Sequence, residues 1–234
     1  MLKRFVALDL ETTGVDPSND KIIEIGMARI VEGEVVATFN QLVNPDTELS
    51  QRIIDITSIT PLDLIGKPSI EEIIGDAVEF IGDDVILGHN VAFDYSFLKV
   101  AAKANNKNIP NKVIDTLKIA RKLLPELPSR KLVDLCAYFN IDPGHSHRAY
   151  DDAISAFRLY EKLAALASDE ELINGAEEVF YSIKKTSPIT AAQIRFLSSL
   201  CAQHNLTLEK PIEEFTKSEA SKAIDGILSS YGRK

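Results

Sequence analysis

Asp9 and Glu11 stand two residues apart at the end of the apolar run Phe5-Val6-Ala7-Leu8-Asp9-Leu10-Glu11-Thr12-Thr13-Gly14. Successive strand side chains alternate faces, so the two carboxylates share one face while Val6, Leu8 and Leu10 fill the other. Like charges on one face beside a core repel each other and lose hydration unless a cation lies between them. A divalent metal ion meets that demand.

Two further segments carry groups of the same kind. Asp94, in His89-Asn90-Val91-Ala92-Phe93-Asp94-Tyr95, falls in the first turn of a helix that follows a strand directly. The helix dipole alone accounts for an acid there, but the carboxyl ends of strands in α/β folds are also where sites collect. The third segment is Gly144-His145-Ser146-His147-Arg148-Ala149-Tyr150-Asp151-Asp152-Ala153. On its helix Ala149, Ala153, Ala156, Leu159, Tyr160 and Leu163 form one stripe; Asp152 lies inside it and Asp151 outside. Positions 155 and 156 are Ser and Ala, so no cation one turn on neutralises Asp152. His147 projects from the loop entering the helix. Taken alone, this segment reads equally well as first-turn acids beside a surface imidazole.

Together the four carboxylates, Asp9, Glu11, Asp94 and Asp152, suit hard cations such as Mg²⁺ or Mn²⁺, whereas zinc would call for more His or Cys. Two ions about 4 Å apart would clamp the attacking and leaving oxygens of a phosphodiester in in-line displacement. His147 would take a proton from the attacking water, since imidazole titrates near working pH.

The elements that must position these groups are legible from periodicity. Residues 4–11, 21–31 and 34–43 read as a meander of strands, the last two joined by a turn at Glu32-Gly33. A loop carrying Pro45, Pro61 and Pro68 leads to a helix over 70–81, capped by Ser69 and ended by Gly82. A strand over 84–88, a helix over 92–104 and a short apolar piece at Val113-Ile114 follow. Helices are then expected over 117–124, 130–139 and 148–167. Strands first and alternation afterwards imply an α/β fold, a mixed sheet with helices on its faces. After Ala167 no strand pattern appears. A helix is expected over 169–185, and Thr190-x-x-Gln193 and Thr216-x-x-Glu219 are capping boxes that open two more. The expected organisation is a main domain over 1–167, a helix and linker over 168–187 including Thr186-Ser187-Pro188, and a small helical domain over 188–234.

The three acidic segments resemble, in order, the motifs of the DEDDh 3′-to-5′ exonucleases of the DnaQ-like group, the family of bacterial polymerase proofreading subunits and domains. Asp-Leu-Glu-Thr-Thr-Gly at 9–14 matches the first motif, Gly-His-Asn-Val-Ala-Phe-Asp at 88–94 the second, and His-Arg-Ala-Tyr-Asp-Asp-Ala at 147–153 the third. His147 followed by four residues and Asp152 marks the His branch of the family. Weaker agreement continues through Ile22-Ile23-Glu24-Ile25-Gly26, Asp115-Thr116-Leu117 and Ser129-Arg130-Lys131-Leu132, so the likeness covers about residues 4–166. The resemblance implies a ribonuclease H-like five-stranded sheet and two divalent ions. Asp9, Glu11 and Asp152 would hold the first ion, Asp9 the second with support from Asp94, and His147 would be the general base releasing nucleoside 5′-monophosphates. The terminal nucleotide of a single-stranded DNA 3′ end would meet the backbone at Thr12 and Thr13, with Asn90 and Phe93 along the strand's path. Thr12 and Thr13 also read as turn formers, and Phe93 as a core aromatic.

Composition narrows the setting. The 234 residues carry a formal net charge of −9, which argues against indiscriminate avidity for nucleic acid. Between Lys99 and Lys131, however, Lys99, Lys103, Lys107, Lys112, Lys118, Arg121, Lys122, Arg130 and Lys131 face only Asp115 and Glu126. No run reaches the length of a bilayer span and no leader pattern opens the chain, so a cytoplasmic protein without membrane contact is expected. Cys136 and Cys201 read as reduced packing thiols. The segment 169–234, with ten acidic and eight basic residues, is no obvious nucleic-acid grip; docking to a DNA polymerase or another replication protein is expected of it. Two other readings stand beside the DNA exonuclease: an exoribonuclease acting on RNA 3′ ends, and a non-catalytic replication adaptor.

Overall fold

The structure is a computed structural model that describes residues 1–144, 147–179, 187–208 and 210–232. The chain divides into two compact units, Met1–Tyr181 and Ser182–Lys234. In the first, β1 (Arg4–Thr12), β2 (Ile22–Val31) and β3 (Glu34–Leu42) form the meander. The connection between β2 and β3 turns at Glu32 and Gly33, with φ of 50° and 85°, the left-handed pair that suits a tight hairpin. After α1 (Gln51–Thr57), α2 (Pro61–Leu64) and α3 (Ile70–Ile81) come β4 (Ile86–Gly88), α4 (Ala92–Ala104), β5 (Val113–Asp115), α5 (Thr116–Leu123), α6 (Leu132–Phe139), α7 (Ala149–Leu166) and α8 (Glu170–Asn174). The five strands lie in the order β3-β2-β1-β4-β5. β1 pairs antiparallel with β2 and parallel with β4, so the sheet is mixed and the expected fold class is the observed one.

Alternation along β1 sends Val6, Leu8 and Leu10 into one layer with Ile74, Ala77 and Leu98 of α3 and α4. Phe5 and Ala7 enter the opposite layer with Ile119, Leu135, Phe157 and Tyr160 of α5 to α7. Phe5 meets Phe157 and Tyr160 edge to face at centroid distances of 5.8 and 5.6 Å, anchoring α7 across β1. Asp9 and Glu11 continue the Phe5 and Ala7 side and therefore face α7.

Three sequence expectations differ from the structure. The loop with Pro45, Pro61 and Pro68 contains two short helices of seven and four residues. Pro61 opens the second at its first position, where a missing N–H costs nothing, so a proline read as part of the loop is a helix start signal. Lys99, Lys103 and Lys107 recur at helical spacing and read as one basic stripe, but Lys107 lies beyond the end of α4, so the helix carries only Lys99 and Lys103. The helix expected over 169–185 stops at Asn174, where the Gly175 N–H bonds back to Glu171 O at 2.8 Å. The chain then turns extended, and Glu177 exchanges two backbone hydrogen bonds with Val113, at 2.8 and 2.9 Å, covering the exposed edge of β5. Residues 180–185 of that expectation lie outside the described residues.

In the second unit α9 (Ala191–His204) and α10 (Lys217–Tyr231) open on the expected capping boxes, Thr190 with Gln193 and Thr216 with Glu219. Leu197, Leu200 and Ile224 form its core. Ser187 accepts the Lys217 N–H at 2.8 Å, and Pro188 bridges Thr216. Both cysteines are free thiols. No described helix is long and apolar enough to cross a membrane.

Candidate active site

The first acidic pair sits where β1 outruns its parallel neighbour. Val6 donates its N–H to Val85 O, so the even-numbered amides of β1 point toward β4, which ends at Gly88. Past that end the Leu10 N–H has no strand to meet; Asp94 Oδ1 accepts it at 3.1 Å. The first turn of α4 thereby closes over the strand end and brings its buried carboxylate to the acidic face.

The loop that delivers Asp94 is tied on its other side. Asp115 Oδ1 accepts from both Asn90 N and Leu117 N at 2.9 Å, which holds Asn90 at a left-handed φ of 64°. His89 Nε2 lies 2.9 Å from the Arg130 carbonyl, an acceptor only, so this nitrogen carries the proton; Nδ1 meets the Thr116 hydroxyl at 2.9 Å. Burial pushes the His89 imidazole down from its ordinary value, consistent with a neutral ring that braces the loop. The weaker likenesses at Asp115-Thr116 and Ser129-Arg130 thus have a physical reason: they hold the second motif in place.

The third element arrives from the far side of β2. Gly26 is paired with Asp9, and a Cβ on it would lie 2.1 Å from Ala149 C and Tyr150 N. Only glycine lets the start of α7 settle onto the sheet there. Glu24, paired with Glu11, accepts the Ala149 N–H at 3.0 Å and two nitrogens of Arg148, the closest at 2.7 Å. One turn further on, Asp152 stands over Glu11. His147, at a left-handed φ of 63°, donates its backbone N–H to Asp152 Oδ2 at 2.9 Å.

Among the described residues, Glu11, His147 and Asp152 each offer a ligand atom within 4.8 Å of the others, a spacing that could hold a metal ion. Asp9 and Asp94 stand outside that group of three but share its field. Burial raises the Asp9 carboxyl well above its ordinary value, and Asp94, Asp152 and Glu11 push it further. Glu11 is raised to about 8 by burial and by Asp152 and Glu24, with Arg148 pulling the other way. Burial raises Asp94 despite the N–H bonds from its own backbone and Leu10, and raises Asp152 against the bond from His147. Four acids drawn together under mutual repulsion form a donor set that a divalent cation would neutralise, so the residues fit such an ion.

The residues expected near substrate are placed as follows. The Thr12 hydroxyl donates to Gly14 O at 2.6 Å and the Thr13 hydroxyl accepts the Lys21 N–H at 2.9 Å, so both side chains are engaged in the turn after β1. Asn90 is exposed, with its backbone N–H on Asp115. Phe93 packs on Phe97 at a centroid distance of 5.0 Å and is partly buried against the core. Glu24 and Arg148 were not singled out from the sequence. A lone carboxylate inside the apolar run Ile22-Ile23-Glu24-Ile25, which needs a cationic partner, was the available signal.

A family model described as Exonuclease (RNase_T) matches residues 6–160. The DNA polymerase III PolC-type protein of Clostridium perfringens is 40% identical over 149 residues, 64% of this chain and 10% of that protein. The PolC-type protein of Halalkalibacterium halodurans is 30% identical over 240 residues, 97% of this chain and 17% of that protein. The chain therefore spans less than a fifth of the length of these relatives. Among solved structures, E. coli Exonuclease I in complex with a dA16 oligonucleotide aligns with a TM-score of 0.65 at 20% identity, covering 74% of this chain and 43% of that one. Exonuclease X in complex with 5′ overhanging duplex DNA aligns with a TM-score of 0.55 at 26% identity, covering 73% and 97%. With the match running from β1 into α7, across all three acidic segments, this chain belongs to the exonuclease family.

Proposed function

We propose that this chain is a metal-dependent 3′-to-5′ exonuclease that hydrolyses phosphodiester bonds at DNA 3′ ends, releases nucleoside 5′-monophosphates, and serves proofreading or repair. The observation that carries the reading is the convergence of Glu11, His147 and Asp152 within 4.8 Å beside the repelled carboxyls of Asp9 and Asp94. Asp9, Glu11, Asp94 and Asp152 would hold two divalent ions, Mg²⁺ or Mn²⁺, which when bound supply positive charge to the phosphoryl oxygens and ease deprotonation of water.

The chain's own residues do the rest. His147 is exposed at the entrance to α7 and takes a proton from water as its oxygen bonds to phosphorus. The bond from phosphorus to the 3′-oxygen of the preceding nucleotide breaks, and that oxygen leaves with the electron pair and is protonated. The backbone at Thr12 and Thr13, with Asn90 and Phe93, borders the terminal nucleotide. The second unit, with its own core of Leu197, Leu200 and Ile224, supplies a surface for a polymerase or another replication protein.

The test is a single-stranded DNA labelled at its 5′ end and incubated with Mg²⁺ or Mn²⁺, beside the same strand labelled at the 3′ end and a matched RNA. A ladder from the 5′ label and immediate mononucleotide from the 3′ label are expected on DNA. Faster decay of RNA would transfer the activity to RNA ends; decay of neither strand would leave an adaptor.

A further inference from the structure

Glu24, the third residue of β2, is 1% exposed, a setting where an unpaired carboxylate is costly. Among the described residues its hydrogen-bond partners belong to the entrance of α7: Arg148 Nε at 3.1 Å, Arg148 Nη2 at 2.7 Å and Ala149 N at 3.0 Å. Arg148 is the N-cap residue of that helix, yet its side chain caps nothing within it. Instead Glu24 reaches from the sheet to satisfy the first helical amide, with its charge at the favourable end of the dipole.

These contacts close a ring through the site. Glu24 is the β-pair partner of Glu11; Glu24 holds Arg148 and Ala149; the Asp152 N–H bonds to Arg148 O at 3.0 Å; and Asp152 returns to within 4.8 Å of Glu11. We propose that Glu24 and Arg148 are positioning residues, a latch that sets Asp152 and His147 over Asp9 and Glu11 and so makes the divalent-cation site. Arg148 has a second effect, because its pairing keeps Glu24 from acting as a fifth free carboxylate beside the site. The inference rests on the exonuclease reading but makes a separate claim about how its site is assembled.

The experiment titrates the whole chain with Mn²⁺ by calorimetry and measures kcat and KM on a 5′-labelled oligonucleotide. The variants are Arg148→Ala, Glu24→Gln and the double. Outer-shell partners of metal ligands typically contribute about 10–100-fold, so each single variant is expected to lose about tenfold or more in Mn²⁺ affinity. At saturating Mn²⁺ each is expected to lose kcat with KM for the oligonucleotide unchanged. The double should be no worse than the poorer single, since one broken contact is shared. Arg148→Lys should recover part of kcat, because it restores the charge without the paired geometry.

Arg148 is 43% exposed, so its truncation leaves the core intact. Leu163→Val, in the far half of α7, lowers thermal stability as a control and should leave Mn²⁺ affinity unchanged. Wild-type Mn²⁺ affinity in Arg148→Ala and Glu24→Gln, or losses that add in the double, would overturn the latch while leaving the exonuclease intact. A wild-type chain that neither binds Mn²⁺ nor degrades DNA would overturn both.

Discussion

Asp94 Oδ1 accepts the main-chain N–H of Leu10 at 3.1 Å, so a carboxylate from α4 occupies the place that a longer β4 would have filled. The contact is structural and electrostatic at once: it completes the edge of β1 and draws a fourth acid toward Asp9 and Glu11. Asparagine at this position keeps the acceptor and removes the charge. Asp94→Asn is therefore expected to raise the metal-free melting temperature by several degrees, at about 2–4 °C per kcal/mol of relieved repulsion. Its metal-dependent exonuclease rate should fall by about two orders of magnitude or more. Differential scanning calorimetry with and without Mg²⁺, beside single-turnover cleavage, checks both halves. A variant that is less stable and fully active would contradict this account.

His147 donates its backbone N–H to Asp152, the residue is exposed, and its ring offers a nitrogen within 4.8 Å of the Glu11 and Asp152 carboxylates. His147→Ala should lower turnover by about 10²–10⁴-fold, the usual worth of a general base. Cation binding should survive, because the carboxylates remain. Nucleotide release under single-turnover conditions, paired with Mn²⁺ titration, is the measurement. Undiminished turnover would mean another base, or none.

Gly26 and Gly66 offer a controlled comparison of two glycines. At Gly26 an added methyl would collide with the backbone of Ala149 and Tyr150 at 2.1 Å, whereas at Gly66 nothing lies within 4 Å and only the left-handed φ of 70° is at issue. Gly26→Ala should cost about 1–3 kcal/mol of stability through overpacking and abolish activity by lifting the start of α7. Gly66→Ala should cost about 1 kcal/mol and leave activity intact. Urea denaturation and nuclease assays on the two variants decide whether the close approach at Gly26 matters to the site.

The acidic cluster also sets how stability responds to pH. Glu11 is raised from 4.5 to about 8, so in the folded metal-free chain it holds a proton that the unfolded chain has already lost. A raised folded value gives stability that is full below the unfolded value and declines as pH rises through the folded one. Asp9, Asp94 and Asp152 shift in the same direction. The metal-free melting temperature is expected to fall as pH rises from 4.5 toward 8, and stabilisation by a fixed Mg²⁺ concentration to grow over the same window. Thermal melts in matched buffers with EDTA or Mg²⁺ test this; a metal-free chain that gains stability across that interval would refute the burial and mutual repulsion that raise these acids.

Much of this protein was legible in its residues. The alternation around Asp9 and Glu11, the stripe of α7 and the Ser69, Thr190 and Thr216 caps are local patterns that follow from the periods of strand and helix, and they predicted element type and facing correctly. The ordered acidic segments likewise carried the family. The short helices at Gln51 and Pro61 and the break at Gly175 were missed. The first two are too short to display a period, and the last is governed by the unpaired edge of β5, which no local pattern encodes.

What only the tertiary structure decided is how separate acids become one site. Cross-strand register sets Glu24 beside Glu11 and Gly26 beside Asp9; those two β2 residues seat α7; and the seating brings Asp152 to Glu11. Residue types along the chain determine which groups are available and which way each faces within its own element. Their separations, and the raised affinity for protons that results, depend on burial and on contacts between residues more than a hundred positions apart, because repulsion and desolvation act through space and not along the backbone.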